Sequence, residues 1–421
     1  MKRDKLLVVF VLVFLVAATA CFPQQDFWEQ TAARPGVEIL SLALNSNGDI
    51  FAGTYDGGVF RSTDAGTNWE QKNSGLTNLR VWAIVTNSSG DLFVGTSESK
   101  VFRSVDNGDN WNQVFVDKQF STSVDLAINS DGIIFAGYLG LVRSQDNGDN
   151  WTAINTGLPS VLVNDIAINS MGHLFIGTSD PAGVFRSTDN GDNWTNVSNG
   201  LPNASIFSLG INSDGQIFVG NIDGQVFLST DEGENWNEVK SLSFGSIQSI
   251  AINSDQHIFL GTGGDGVFQS TDNGNQWTQI NDGLTDFNWI VPALIIDTSG
   301  IIFAGTEQGG VFRSKETTTS VDLLNDPIPQ RFSLEQNYPN PFNPETVIRF
   351  QLPEASQVVL KIYNAIGQEI RALVLQRLDA GEYRVTWDGR DSRGLKVKSG
   401  VYFYRIQAGI FTQVKEMTLI R

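Results

Sequence analysis

The chain is poor in residues that carry metal or nucleophile chemistry. It has one cysteine, Cys21, and two histidines, His173 and His257. One cysteine excludes an intrachain disulfide and a cysteine-based metal cluster. So few histidines weigh against a histidine-rich zinc site or a Ser-His-Asp mechanism. Charge is sparse at 18% of 421 residues, and 41% are hydrophobic, the balance of a globular chain with room for two or three domains. Long apolar runs are missing except at residues 6–18. That run is shorter than the ~20 residues a spanning helix needs. It follows the basic start Met1-Lys2-Arg3-Asp4-Lys5 and precedes Ala18-Thr19-Ala20. This is the pattern of an export signal cut near residue 20. Cys21 stands directly after that cut, so lipidation of Cys21 is the second reading.

The net charge is −18 and unevenly spread. Residues 331–421 hold 13 Lys and Arg against 9 Asp and Glu, which leaves −22 on the first 330 residues. A body that acidic repels nucleic acid and anionic lipid. Cations, neutral glycans or proteins are the expected partners, and a monomer the expected state.

What is abundant is repetition. The phenylalanine of IFAGT and its variants recurs as Phe51, Phe93, Phe135, Phe175, Phe218, Phe259 and Phe303, at spacings of 42, 42, 40, 43, 41 and 44. Each unit reads as four short strands separated by Gly, Asn, Asp and Ser, with no sustained helical periodicity. Seven units of this length predict an all-β, seven-bladed β-propeller over residues 27–314. An octet recurs between the third and fourth strands: STDAGTNW (62–69), SVDNGDNW (104–111), SQDNGDNW (144–151), STDNGDNW (187–194), STDEGENW (229–236) and STDNGNQW (270–277). The seventh unit lacks it, but Phe27-Trp28-Glu29-Gln30 matches Asn68-Trp69-Glu70-Gln71. The N-terminal strand is therefore expected to complete the last blade and remove a free edge.

These octets resemble the Asp-box, or BNR, repeat of sialidases, some xyloglucan hydrolases and propellers like photosystem assembly factors. Six copies of one catalytic site would be odd, whereas six copies of one corner would not. Asp64, Asp106, Asp146, Asp189, Asp231 and Asp272 can accept bonds from turn N–H groups, the glycines suit positive φ, and the tryptophans anchor between sheets. A calcium loop is the alternative, weakened because Thr67 and Asn275 replace its last carboxylate. No cofactor is expected beyond that weak calcium possibility.

The resemblance puts the boxes opposite the usual ligand face, so the loops between second and third strands should line that face. They carry Asp56, Glu98, Asp180, Asp223, Asp265 and Glu307. Two first-strand carboxylates, Asp125 and Asp165, are expected to point into the central channel, in a series with Ser41, Ala83, Ser208, Ser249 and Ala293. Solvated turns are the plain reading of the loop acids, and a cation or polyhydroxylated ligand the sharper one; for Asp125 and Asp165 a water-filled channel is the plain reading, and a bound cation or a shared proton the sharper one. Trp82, Phe120, Phe207, Phe244 and Trp289 are expected near the same mouth, where core packing between blades is their plain reading and stacking on sugar faces the sharper one. A sialidase-like site is hard to build, since only Arg34 and Arg80 are left outside the repeats and Tyr55 and Tyr138 are the only body tyrosines. A two-carboxylate glycoside hydrolase is the enzyme alternative.

After a polar linker at 315–331, residues 332–421 predict a small Ig-like β-sandwich, with strands at 346–352, 357–363, 382–387, 400–406 and 412–420. The stretches NYPNPFNPET (337–346), KIYNAIGQEI (361–370), GEYRVTWDGRDSRG (381–394), SGVYFYRI (399–406) and KEMTLIR (415–421) resemble the type A C-terminal sorting domain of the type IX secretion system of Bacteroidetes-like bacteria. The resemblance implies a secreted or outer-surface protein whose partner in export is that machinery. It makes lipidation of Cys21 the lesser reading. The functional expectation is a propeller that binds a glycan, cation or protein. A glycoside hydrolase or an envelope assembly module are the alternatives.

Overall fold

The structure, a computed structural model, describes residues 26–31, 37–117, 123–242, 245–284, 289–297, 299–315, 322–324, 329, 331–378, 380–391 and 396–420. The export signal, Cys21, Arg34, Phe120 and Phe244 lie outside them. All described regular structure is strand. Among the described residues no helix is long and apolar enough to cross a membrane.

Seven four-stranded antiparallel sheets follow the repeats. The first joins Ile39–Leu44, Ile50–Thr54, Val59–Ser62 and Glu70–Gln71 in chain order. In the last, Trp28–Gln30 pairs outside Ala293–Ile296, Ile302–Thr306 and Gly310–Ser314, with Trp28 opposite Ser314 and Gln30 opposite Phe312. The N-terminal strand thus completes the sheet that lacks an octet. The Glu29–Arg313 ion pair and a bond from Trp28 Nε1 to the Ile280 carbonyl fasten it. This is a propeller fold, and its core lies between neighbouring sheets. The seven repeat phenylalanines are all fully buried, each stabilising the fold by roughly 1.5–3 kcal/mol.

The octet performs a structural task between blades. In each copy the serine Oγ donates to the aspartate, which also accepts the N–H of the residue four positions later, as in Asn193 N–H to Asp189 Oδ1 at 2.9 Å. In five copies the side-chain amide of the asparagine at that position, with these bonds, holds the aspartate carboxyl below its usual range; for Asp272 the Gln276 N–H is the main cause. The third-strand arginine of the preceding blade then reaches a carbonyl in the octet: Arg61 to Asn107, Arg103 to Asn147, Arg143 to Asn190, Arg186 to Glu232 and Arg313 to Ala65, at 2.6–2.9 Å. The octet's last acid completes the clamp, as in Arg143–Asp192 at 3.0 Å and Arg186–Glu234 at 2.9 Å. The two substitutions at that position now have a reason. Asn275 follows a blade that carries Leu228 in place of arginine, and Thr67 belongs to the octet that Arg313 reaches at the Ala65 carbonyl, an arginine Glu29 already holds.

The tryptophans have two seats. Trp111, Trp194, Trp236 and Trp28 donate to a carbonyl of the preceding blade. Trp69, Trp151 and Trp277 fold back onto their own octet glycine. The first seat follows blades that end in a Gly-Leu turn (Gly75, Gly157, Gly200, Gly283), where a Cβ would strike the incoming tryptophan's carbonyl oxygen at 2.1–2.7 Å.

The C-terminal unit packs one sheet of Asp322–Leu324, Gly381–Trp387, Thr346–Leu352 and Ser333–Leu334 against another of Glu369–Leu378, Ser356–Asn364, Gly400–Ala408 and Phe411–Leu419. Trp387 and Tyr404 are fully buried in its core. Two strands correct the sequence reading. Residues 322–324, expected in a linker, pair with Gly381–Trp387. Glu369–Leu378, where no strand was expected, pairs along Ser356–Asn364. Asn337 and Thr346 of the NYPNPFNPET stretch are buried and bonded to each other, and the Asn337 N–H donates to Tyr404 Oη at 2.8 Å.

Two matched variants test the tryptophan seat. Gly157 and Gly172 both have positive φ, but a Cβ at 157 would lie 2.4 Å from the Trp194 oxygen and one at 172 meets nothing. Gly172→Ala should cost about 1 kcal/mol and Gly157→Ala about 2–4 kcal/mol in urea unfolding. Equal costs would remove the seat as the reason for the glycine.

Candidate functional site

Two faces can be told apart from hydrogen bonds. Asn45, Asn87 and Asn129, in the first hairpin of their blades, bond to octet residues Asn107, Asn147 and Asn190 of the next blade. The first hairpins and the octets therefore share a face. On the other face the starts of the first strands meet the second hairpins, as in Trp82 Nε1 to Ser97 Oγ and Asn164 Nδ2 to Ser179 Oγ.

A cavity of about 560 Å³ opens on that second face, at the axis. One residue from every blade lines it at the same level: Ser41, Ala83, Asp125, Asp165, Ser208, Ser249 and Ala293. Each pairs across its sheet with the glycine of the F-x-G segment, from Ser41 opposite Gly53 to Ala293 opposite Gly305. Close approach, not positive φ, demands those glycines. A Cβ at Gly95 would lie 2.3 Å from the Val124 carbonyl oxygen of the next blade. The sequence series is thus one ring in space. The residues two positions on, from Ala43 to Ile295, are mostly small and so would be expected at a crowded channel, but they pair across their sheets with the buried phenylalanines and do not line the cavity.

Asp125 and Asp165 meet in this cavity. Both residues line it and are only partly buried, although one carboxyl oxygen, Asp125 Oδ2, is enclosed. Asp165 Oδ2 accepts the Leu209 N–H of the next blade at 2.6 Å. Burial pushes the Asp165 carboxyl up to about 7. Burial, and then the charge of Asp165, raises Asp125 well above its ordinary value, against backbone N–H groups of Leu126 and Ile166. Asp125 Oδ2 is buried with no hydrogen-bond partner. Glu38 stands at the rim, raised by burial and by Glu307 and Asp56, and opposed by Arg80.

None of the six loop acids lines the cavity. The second hairpins lie one strand farther from the axis, roughly 5 Å outward. Asp56, Glu98, Asp180 and Asp223 are exposed, and Asp265 and Glu307 half-buried. Glu98 is paired with Lys100. Trp82 and Phe207 line the mouth, whereas Trp289 is 37% exposed and outside the lining. Sequence reading missed Glu38, whose place just before a first strand was the available signal. Among the described residues no three His, Cys, Asp or Glu side chains converge as a metal site.

Residues 24–314 match the family of photosynthesis system II assembly factor YCF48. The chain belongs to that family. Residues 340–409 match the FlgD Ig-like domain. No curated protein matches the chain. Among solved structures, YCF48 bound to D1 peptide is 16% identical, with a TM-score of 0.57 over 69% of this chain and 97% of that one. The extracellular domain of the one component system BT4673 from B. thetaiotaomicron is 19% identical, TM-score 0.59, over 79% of this chain but only 45% of its own length. A catalytically inactive virginiamycin B lyase from Staphylococcus aureus with quinupristin is 11% identical, TM-score 0.60, over 68% of this chain and 98% of that one. At these identities the neighbours share the propeller fold with this YCF48-family chain.

The raised carboxyls predict a pH dependence. Between the unfolded value of about 4 and the folded value near 7 for Asp165, the folded protein binds more protons than the unfolded one. Stability contributed by the pair is full below the unfolded value and falls as pH rises through that window. The Asp125→Asn/Asp165→Asn variant should therefore gain stability relative to wild type from pH 5 to pH 8 in urea unfolding. A relative loss would mean that the fold favours the ionised pair.

Proposed function

We propose that this chain is an exported, non-catalytic binding protein whose seven-bladed propeller takes up a segment of a protein partner at the axial cavity. The observation that carries this reading is the placement of the two units. The C-terminal domain meets the octet face through Arg371, which is 5% exposed and pairs with Asp388 at 3.1 Å and with propeller Asp255 at 3.5 Å. The cavity opens on the opposite face, so the mouth is free while the C-terminal domain is engaged. Membership in a family with a peptide-bound solved member supports a peptide-sized ligand over a small metabolite. The exposed Trp82 and the Phe207 ring at the mouth suit such a segment.

The C-terminal domain is read as the type IX sorting address, and the protein as secreted or held on the outer surface. Support comes from the motif set at 337–421 and from the export-signal pattern at the N-terminus. An envelope assembly role is the same reading with a resident partner. Glycan or cation binding and carboxylate-based glycoside hydrolysis are the competing outcomes. The lyase among the structural neighbours indicates only that the fold can house a catalyst.

Two experiments test this. Cross-linking on intact cells, followed by purification of the full chain, should capture a partner that Trp82→Ala and Phe207→Ala each weaken at least tenfold, about 1.4 kcal/mol. Glycan-array binding or polysaccharide turnover lost in the same variants would replace the protein reading. Deleting residues 332–421 should hold the propeller in the periplasm, and normal secretion of the truncated chain would remove the address.

A further inference from the structure

We propose that the Asp125–Asp165 pair is the seat for an organic cation, the guanidinium or ammonium tip of the bound segment, at the floor of the axial cavity. The inference rests on the reading of the propeller as a module for a protein segment.

The cavity is one-signed. Its titratable lining groups are Glu38 at the rim and Asp125 and Asp165 on the floor, and no Lys, Arg or His lines it among the described residues. Arg80, the basic group that acts on Glu38, lies outside the lining and stacks on the Tyr55 ring at 3.8 Å. Asp125 Oδ2 is buried without a partner, and on the same ring Ser41 Oγ is partnerless in a residue only 9% exposed. A buried acceptor left unmade costs about 1–3 kcal/mol. A ligand bringing several N–H donors and a positive charge removes that cost and offsets the repulsion between the carboxylates.

A calcium ion fits less well, because it takes 6–8 oxygen ligands and two carboxylates converge here. The aromatic side chains of Trp82 and Phe207 above the floor suit the aliphatic stem of a long cationic side chain. The raised carboxyls add a consequence. At neutral pH the pair retains a proton, which a cation must displace, so affinity rises with pH.

The test uses the full chain and N-acetyl-arginine amide, with N-acetyl-citrulline amide as the uncharged isostere and calcium chloride as the metal probe, titrated calorimetrically. The arginine probe should bind, several-fold tighter at pH 8 than at pH 6, and at least tenfold weaker to Asp125→Asn/Asp165→Asn. The citrulline probe should not bind measurably. Equal binding of the two probes, a flat pH profile, or binding of calcium in place of arginine would overturn the seat. If the double variant fails to fold, the wild-type pH profile and the citrulline comparison decide. A cellular partner still captured in full by the double variant overturns the seat and leaves the protein-segment reading standing. Arginine binding without any captured partner does the reverse.

Discussion

Contact between neighbouring sheets is the constraint on which this molecule depends. A four-stranded sheet cannot bury two faces by itself, so each blade needs one on either side. The ring satisfies that need only if it closes. Closure falls to three residues, Trp28–Gln30, paired with Phe312–Ser314. Without them the last blade would expose an edge and the Trp28 side chain would leave its seat beneath Ile280. The Arg313 clamp onto Ala65 of the first octet binds the same seam from the other side.

Seen from that constraint, the octet is a joint. Its serine and aspartate organise the turn internally. Its carbonyl and its last acid receive the arginine of the blade before. The side chains that look like a calcium loop in sequence are engaged with serine, asparagine, backbone and arginine. Because each joint uses residues of two blades, a change in one blade is matched in the next, as Leu228 is matched by Asn275.

This division of labour separates the faces. Octets and first hairpins hold the blades together on one side, and the C-terminal domain meets that side through Arg371 and Asp255. The other side carries the cavity. There the packing requirement is met by small ring residues and F-x-G glycines, and two positions in the ring hold carboxylates. Those acids accept N–H groups of the following blade, so they belong to the joint and to the cavity at once. Enclosure by packing raises their proton affinity, and the lack of a basic neighbour in the lining keeps it raised.

Much of this was legible in the chain. Repeat period, octets and the stray N-terminal tryptophan were enough for a propeller with a borrowed strand, because strand register is written in local alternation and turn residues. The ring containing Asp125 and Asp165 was legible for the same reason, since equal register places equal repeat positions at equal distance from the axis. What the sequence could not supply was radial distance. Asp56 and Glu307 were expected on the ligand face with the channel acids, and only the folded sheets show that they do not reach the cavity lining. Nor did it mark Glu369–Leu378 as a strand, which its pairing with Ser356–Asn364 decides. The raised proton affinity of the axial pair likewise comes from burial between blades, a property of the assembled ring alone.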